Sequence, residues 1–411
     1  MTAPEASAPG LCPVRVVLRI RGVRNTPHDA RIPRPAHALS PAPLPTSTVP
    51  DPSTLAAFVG VRIESEQRLL LTRPPRHHRT YLSAEPGKRY HFDRIFPPTA
   101  SQASVFATEV QPLVDAFLDG TNVSLFAYGQ TSSGKTHTIA GDLDGAADAP
   151  GRGIVARALQ HLFDRVDPQT ATLQLSCIEI FCEQIQDLMP AAVSSHAAAG
   201  SALSPSAVPA PGAARKIRLL EDRDGTIVPS GVRSITVTSL TATRRLVTRA
   251  LKRRVTATTG MHDQSSRSHA VLTLTLTQRL PASDPAAAAG AIVSRVSKLH
   301  IVDLAGSERL KRTAASGGRL QESVTINAGL LALGNVISPR PWGSPPPPPV
   351  LLDEAAHVPY RGSKLTRLLK NALGGNSLTL MIACIRDGTN DIEESMNTCK
   401  YATRARRVQN R

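Results

Sequence analysis

The chain has 411 residues, with 48 Lys and Arg against 32 Asp and Glu, a formal net charge of +16. Apolar residues at 41% exclude a wholly disordered chain, and the length accommodates one large α/β domain or two to three small ones. Five cysteines without a C-x-x-C pair argue against a disulfide framework or zinc ribbon, and neither a membrane-length apolar run nor a secretory leader is present.

In chain order, residues 1–12 read as a disordered tail. Val14–Arg21 alternates apolar and basic residues, which predicts an edge or half-buried strand. Residues 24–56 are rich in Pro, Ala and Ser and read as an inserted surface loop. Val123–Tyr128 is a short apolar run stopped by glycine, the pattern of a central strand, and Gly153–Val166 has helical spacing. A second insertion follows at 189–214, then a second central strand at His300–Leu304 and a helix at Leu320–Ile337. The third insertion, 339–356, contains five consecutive prolines, Pro345 to Pro349, an extended polyproline II stretch. The insertions interrupt one alternating β/α pattern, so a single domain over 13–411 is expected, with helices on both faces of a sheet. No internal repeat or coiled-coil heptad run is visible.

The strongest chemical signal is Gly129-Gln130-Thr131-Ser132-Ser133-Gly134-Lys135-Thr136, a GxxxxGK[ST] phosphate loop. Its backbone N–H groups can face a β-phosphate, Lys135 can reach the β/γ oxygens, and the Thr136 hydroxyl can ligate Mg²⁺. It follows a predicted strand and opens a predicted helix, the context such a loop requires. Asp303-Leu304-Ala305-Gly306 ends the second central strand, where an aspartate can hold the Mg²⁺ water and the Gly306 N–H can meet a γ-phosphate. Ser265-Ser266-Arg267-Ser268-His269 is by itself compatible with a solvated loop; paired with Glu308, Arg267 would form a latch over the nucleotide.

These blocks resemble the kinesin motor domain, as do Phe126 through Thr136, Asp303 through Arg309, His357 through Leu369 and Leu373-Gly374-Gly375-Asn376, all in that family's order. The segments Leu330–Ser338 and Thr379–Cys384 look most like the chromokinesin branch. The resemblance implies an α/β P-loop NTPase fold, with a central mixed, mostly parallel sheet flanked by helices on both faces. It also implies a microtubule-stimulated ATPase that uses ATP and Mg²⁺ in the cytoplasm, on the microtubule cytoskeleton. Lys135, Ser266, Arg267, Gly306 and Glu308 would be the catalytic set, and Thr136, Ser266 and Asp303 the metal set. Gly129 through Thr136 would cradle the nucleotide, and Arg19, Arg21 and His137 would lie at the adenine, although an exposed strand face accounts equally for the two arginines. Tubulin would meet Lys311, Arg312, Arg319, Arg361, Lys364 and Arg367. From His357 onward ten Lys and Arg stand against four Asp and Glu, a charge suited to an acidic polymer.

Several positions depart from the family pattern. Gly22 stands where a proline is usual, which would remove an apolar wall from the adenine site. His262 replaces an asparagine beside the serine/arginine turn, Gly362 an aspartate, and Gln321 a basic residue. A rival reading is therefore a nucleotide-sensitive microtubule-binding module with little turnover. The surplus charge is also compatible with nucleic acid, acidic lipid or GC-rich coding. However, basic segments interleaved with stacking aromatics are lacking, so nucleic acid is not expected as a partner, and nor is a membrane. The family's neck would start near Arg411, so dimerisation is expected to need a stalk absent from this chain.

Overall fold

The computed structural model describes residues 12–22, 60–73, 76–78, 81–83, 87–143, 149–190, 217–222, 225–256, 266–281, 292–309, 318–338 and 358–410. The insertions at 24–56 and 339–356, the second insertion from residue 191 onward, and residues 1–11 lie outside the described residues.

A nine-stranded sheet organises the chain. Its strands are β1 (Arg15–Arg21), β2 (Arg94–Phe96), β3 (Asn122–Tyr128), β4 (Ala171–Phe181), β5 (Gln184–Asp187), β6 (Ile235–Thr236), β7 (His269–Pro281), β8 (Ile292–Asp303) and β9 (Ser377–Arg386). Their order is β5-β4-β7-β8-β3-β9-β1-β2, with β6 on β4. From β8 to β2 all neighbours are parallel, while β5, β4, β6, β7 and β8 are joined antiparallel. The helices used below are α1 (Gln102–Val105), α2 (Gln111–Leu118), α3 (Lys135–Ile139), α4 (Ile154–Phe163), α5 (Leu240–Thr256), α6 (Gly318–Ile337), α7 (Lys364–Leu368) and α8 (Ile392–Ala405).

The period-two alternation of strand side chains divides the apolar residues between two cores. Val16, Leu18 and Ile20, Phe126 and Tyr128, and Met381, Ala383 and Ile385 pack on one face beneath α6, α7 and α8. Val17, then Val123, Leu125 and Ala127, and Leu380, Ile382 and Cys384 pack on the other, beneath α1, α2, α4 and α5. Helices therefore cover both faces, as the β/α alternation implied.

Two expectations need correction. The first strand is neither an edge nor half-buried: β1 lies between β9 and β2, and Val16, Val17 and Leu18 are fully buried. Its alternating arginines misled, because Arg19 points into a polar network and is not solvated. The second central strand begins at Ile292, eight positions before His300, because it pairs along its length with β7. Its first half carries Ser294, Arg295 and Ser297 between apolar residues, which hides the strand from an apolar-run criterion.

The chain's two described ends meet. Cys12–Pro13 pairs with Gln409–Asn410, so Cys12, the last residue of the expected tail, is held in a strand pair. Asn410 is buried, its Nδ2 donating to the carbonyls of Ala372 (3.1 Å) and Ser377 (2.5 Å) and to Thr379 Oγ1 (3.0 Å). Its Oδ1 accepts from Gly374 N at 2.6 Å. Asn410→Ala leaves these groups unsatisfied and is expected to lower unfolding free energy by about 3 kcal/mol. A shift in the urea midpoint at unchanged slope measures it, and no shift would contradict the clasp.

Candidate active site

Parallel pairing of β3 with β8 sets Ala127 opposite Asp303, so both strands end at the same edge of the sheet. The phosphate loop leaves β3 there and the Asp303–Glu308 turn leaves β8. Gly129 has φ 150°, and a Cβ on it would lie 2.1 Å from the Cys384 carbonyl oxygen of β9, so no other residue fits. Lys135 is buried at the start of α3, and its Nζ donates to the carbonyls of Gly129 and Gln130, both at 2.8 Å. Burial lowers its pKa, opposed by the negative charges of Asp303 and Glu308.

Thr136 Oγ1 donates to Asp303 Oδ2 at 2.7 Å. Arg254 of α5 meets that same oxygen at 2.6 Å through Nη1, and donates to Ser268 Oγ (3.0 Å) and the Ser268 carbonyl (2.7 Å). Asp303 Oδ1 is buried without a hydrogen-bond partner. That carboxylate oxygen, 4% exposed as a residue and beside the Thr136 hydroxyl, suits a hydrated divalent cation. Among the described residues no group of three or more His, Cys, Asp or Glu could cage a metal. The Thr136 hydroxyl and the Asp303 carboxylate are the kind of donors that fit Mg²⁺, which binds through one or two protein oxygens plus substrate phosphates. A cavity of about 310 Å³ opens alongside, lined by Thr136, Asp303 and Arg254 and otherwise mainly by apolar side chains such as Ile139, Leu251 and Leu272.

Arg254 escaped the sequence reading. The signal was present: Arg254 falls four and seven residues after Ala250 and Val247, on the stripe α5 buries against the sheet. A cation on a buried stripe needs a buried anion, and Asp303 is that anion.

The turn after β8 is tied to the loop. Ser307 N donates to the Gly129 carbonyl (3.1 Å), Gly306 N to the Ser266 carbonyl (2.7 Å), and Ala305 N to His269 Nδ1 (3.0 Å). Since Nδ1 accepts, His269 is neutral with its proton on Nε2, and burial with the nearby Arg254 and Lys135 charges depresses its pKa to about 3. The expected Arg267–Glu308 latch does not form. Glu308 instead accepts from Thr131 N (2.8 Å) and Thr131 Oγ1 (2.5 Å), while Arg267 meets Glu322 of α6 at 3.4 Å. The physical reason is that Thr131 offers the carboxylate two short, convergent donors, leaving Arg267 to the next acid along the chain. A Cβ on Gly306 would sit 2.3 Å from both Glu308 Oε2 and Thr131 Oγ1, so this contact requires glycine there. Ser133 is buried in the loop and Ser132 adopts φ 63°.

At the outer side of the loop, Arg19 Nη1 donates to Gln102 Oε1 (2.5 Å) and Thr138 Oγ1 (2.9 Å), and Gln102 donates to the His137 carbonyl (2.6 Å). Arg19 thus fastens α1 to α3 and is not part of an exposed face. Arg21 is exposed and donates to the Ser132 carbonyl at 2.7 Å. Partial burial, then Arg19 and Arg21, lower the pKa of the exposed His137, so its ring is neutral at neutral pH and free to stack on an aromatic ligand. Pro98 packs beside Gly22, where a Cβ would lie 3.3 Å from Pro98 Cβ.

Away from the loop, Arg361 is exposed and Lys364 half-buried at the start of α7, whose cap is a Ser363/Thr366 capping box. Arg367 donates to the Leu219 carbonyl at 3.1 Å. Lys311 and Arg312 lie outside the described residues, as does His262, and Arg319 is placed only by its backbone in α6. Among the α6 residues whose side chains are described, the exposed ones are Gln321, Val324, Ala328, Leu331 and Asn335, none of them charged, with Leu331 66% exposed. Two contacts join the loop and the end of β3 to α8 and its N-cap: Gln130 Nε2 donates to the capping residue Asp391 at 2.8 Å, and the Tyr128 and Tyr401 rings stack at 4.1 Å.

A phosphate loop, an aspartate-ended neighbouring strand and two turns clasped to the loop define a P-loop nucleotide-binding domain. The kinesin motor-domain family matches residues 62–408, and the chain belongs to that family. Human KIF7, a kinesin-like protein, is 37% identical over 366 residues, 85% of this chain and 25% of that protein. The kinesin-like protein KIN-4C of Oryza sativa subsp. japonica is 41% identical over 340 residues, covering 78% and 25%. The human chromosome-associated kinesin KIF4A is 40% identical over 330 residues, covering 79% and 24%, in keeping with the chromokinesin-like segments. The chain therefore spans about a quarter of the length of these relatives. The solved structure of a fast kinesin superposes with a TM-score of 0.70 at 27% identity, covering 97% of this chain and 92% of that one. Among the described residues no helix is long and apolar enough to cross a membrane.

Two measurements follow. Arg254→Ala strands Asp303 in the core and is expected to cost about 3–5 kcal/mol of stability. Arg254→Lys keeps the charge but loses the fork and should cost less; equal losses would contradict the bidentate role. His269 is buried and His300 half-buried, with pKa values lowered to about 3 and about 4. An unfolded histidine protonates near 6.5, so both contribute stability that is present above that pH and lost as pH falls towards their folded values. Urea melts at pH 7, 6 and 5 should show stability falling by about 1 kcal/mol per unit per histidine below pH 6. A flat profile would contradict neutral burial.

Proposed function

We infer that this domain is a microtubule-stimulated ATPase in which ATP and Mg²⁺ occupy the edge of the sheet where β3 and β8 end. The observation that carries this reading is Asp303, held by Thr136 and Arg254 with one buried oxygen left to accept a hydrogen bond.

The backbone of Gly129 through Gly134 wraps the β-phosphate, and Lys135 exchanges its two loop carbonyls for phosphate oxygens. Thr136, Ser266 and Asp303 would hold Mg²⁺, which would supply neutralisation of phosphate charge. Gly306 N, which donates to the Ser266 carbonyl, would exchange that partner for a γ-phosphate oxygen. Glu308 sits on Thr131, where a carboxylate can orient water and take up its proton through a second water. Arg267 acts as a closing cation only after exchanging Glu322 for Glu308, which couples the serine/arginine turn to α6. Arg19 fixes the elements under the base, while Arg21 and neutral His137 flank it.

For the polymer, Arg361, Lys364 and Arg367 with Lys311, Arg312 and Arg319 give a basic face towards acidic tubulin, and cytoplasmic microtubules are the proposed location. The exposed apolar side chains Val324 and Leu331 of α6 would add an apolar, salt-insensitive part to the contact.

Steady-state turnover with and without polymerised tubulin across a salt series tests the reading. Stimulation by about tenfold or more at low salt, weakening as salt rises, is expected. Glu308→Ala should reduce stimulated turnover by about 10²-fold with nucleotide affinity kept. Salt-sensitive binding without stimulation would overturn the ATPase in favour of a binding module, and no binding would overturn the partner.

A further inference from the structure

One feature of the charge is not absorbed by the nucleotide site or by the proposed microtubule face. Helix α5, LTATRRLVTRALKRRVT, carries six Lys and Arg and no acidic residue in its 17 positions. Arg254 is consumed inside the fold, Arg244 donates to the Leu143 carbonyl at 3.1 Å, and Arg253 donates to the Met189 carbonyl at 2.9 Å. Arg245, Arg249 and Lys252 are exposed, as is Arg253. At about 100° per residue these four fall within about a quarter to a third of the helix circumference. Among the described residues neither Arg245 nor Arg249 meets a carboxylate. The stripe is remote from α6 and α7: Val247 and Ala250 anchor α5 to the core on one face of the sheet, and Leu333 and Leu365 anchor α6 and α7 on the other.

The geometry points to a second docking surface on α5, independent of the microtubule face, for an acidic, extended polypeptide segment. Arg245 and Arg249 stand about 6 Å apart along the axis. Alternate side chains of an extended chain stand about 7 Å apart, so successive carboxylates of a Glu-rich segment can address both guanidinium forks in turn. Other polyanions fit less well. Among the described side chains of α5 no large apolar one is exposed to insert into a lipid surface. The helix is half-sunk in the domain, so it cannot enter a DNA groove, and no aromatic residue lies along it to stack on bases. A flexible acidic chain needs neither.

The test uses the whole chain and a fluorescent oligoglutamate peptide, followed by anisotropy at about 150 mM salt, with a DNA duplex of equal charge as comparison. Arg245→Glu with Arg249→Glu is compared with Arg361→Glu with Lys364→Glu, which changes net charge by the same amount on the opposite face. The α5 double substitution is expected to weaken peptide binding by about tenfold or more, and the control by less than about twofold. Equal weakening by both would mean bulk charge alone and overturn the site, as would a peptide that does not bind. Preferential binding of the duplex, lost in the same α5 variant, would overturn the acidic-peptide assignment. Arg245→Gln with Arg249→Gln repeats the measurement if charge reversal impairs folding, which thermal melts report.

Discussion

The pairing of β3 with β8 in parallel register is the constraint on which the rest depends. Because Ala127 lies opposite Asp303, the phosphate loop and the aspartate turn emerge side by side, and Thr136 can reach Asp303 at 2.7 Å. A shift of one residue would turn Asp303 to the other face of the sheet. The register is held from both sides, since β9 pairs with β3 and β7 pairs with β8 over most of their lengths. Apolar residues of both cores lock it. The polar site is therefore positioned by apolar packing beneath it.

Charge at the site is balanced internally. Lys135, Arg254 and Asp303 are all nearly buried, so each would be costly alone, and they lie within one cluster. His269 stays neutral there, which prevents a third cation from crowding the site and lets its Nδ1 accept from Ala305. Glu308 and Arg267 are each held by another partner, Thr131 and Glu322. Both contacts are exchangeable, because one end of each belongs to the loop or to α6 and not to the core. A ligand that competed for Thr131 would release Glu308, and through Arg267 and Glu322 the change would reach α6. The stacked Tyr128 and Tyr401 rings extend the same connection to α8, beside Gly334 of α6, where a Cβ would lie 3.3 Å from the Tyr401 ring.

Much of this was legible in the sequence. The phosphate loop and the Asp303 turn could be read because each is a contiguous segment whose chemistry needs fixed spacing. The two-faced sheet could be read because Val123–Tyr128 and His300–Leu304 are short, largely apolar runs that alternate with segments of helical spacing. Arg254 could not be read as easily, because its partner is distant in sequence and the surrounding cations mask a single buried one. The Arg267–Glu308 pair was inferred from chemical complementarity, which says which groups can pair but not which donor is nearer; Thr131 was nearer. The interior position of β1 was hidden by Arg15, Arg19 and Arg21, whose alternation imitates a solvated face although Arg19 is bonded within the fold.

The most direct test of the central arrangement is the affinity of ATP measured by titration with and without Mg²⁺, for the native chain and for Asp303→Asn. With Asp303 holding the cation's water, Mg²⁺ should tighten binding to the native chain, and the substitution should remove about tenfold or more of that gain while leaving the Mg²⁺-free affinity unchanged. An equal Mg²⁺ dependence in the two proteins would contradict the role assigned to Asp303 and, with it, the placement of the nucleotide between β3 and β8.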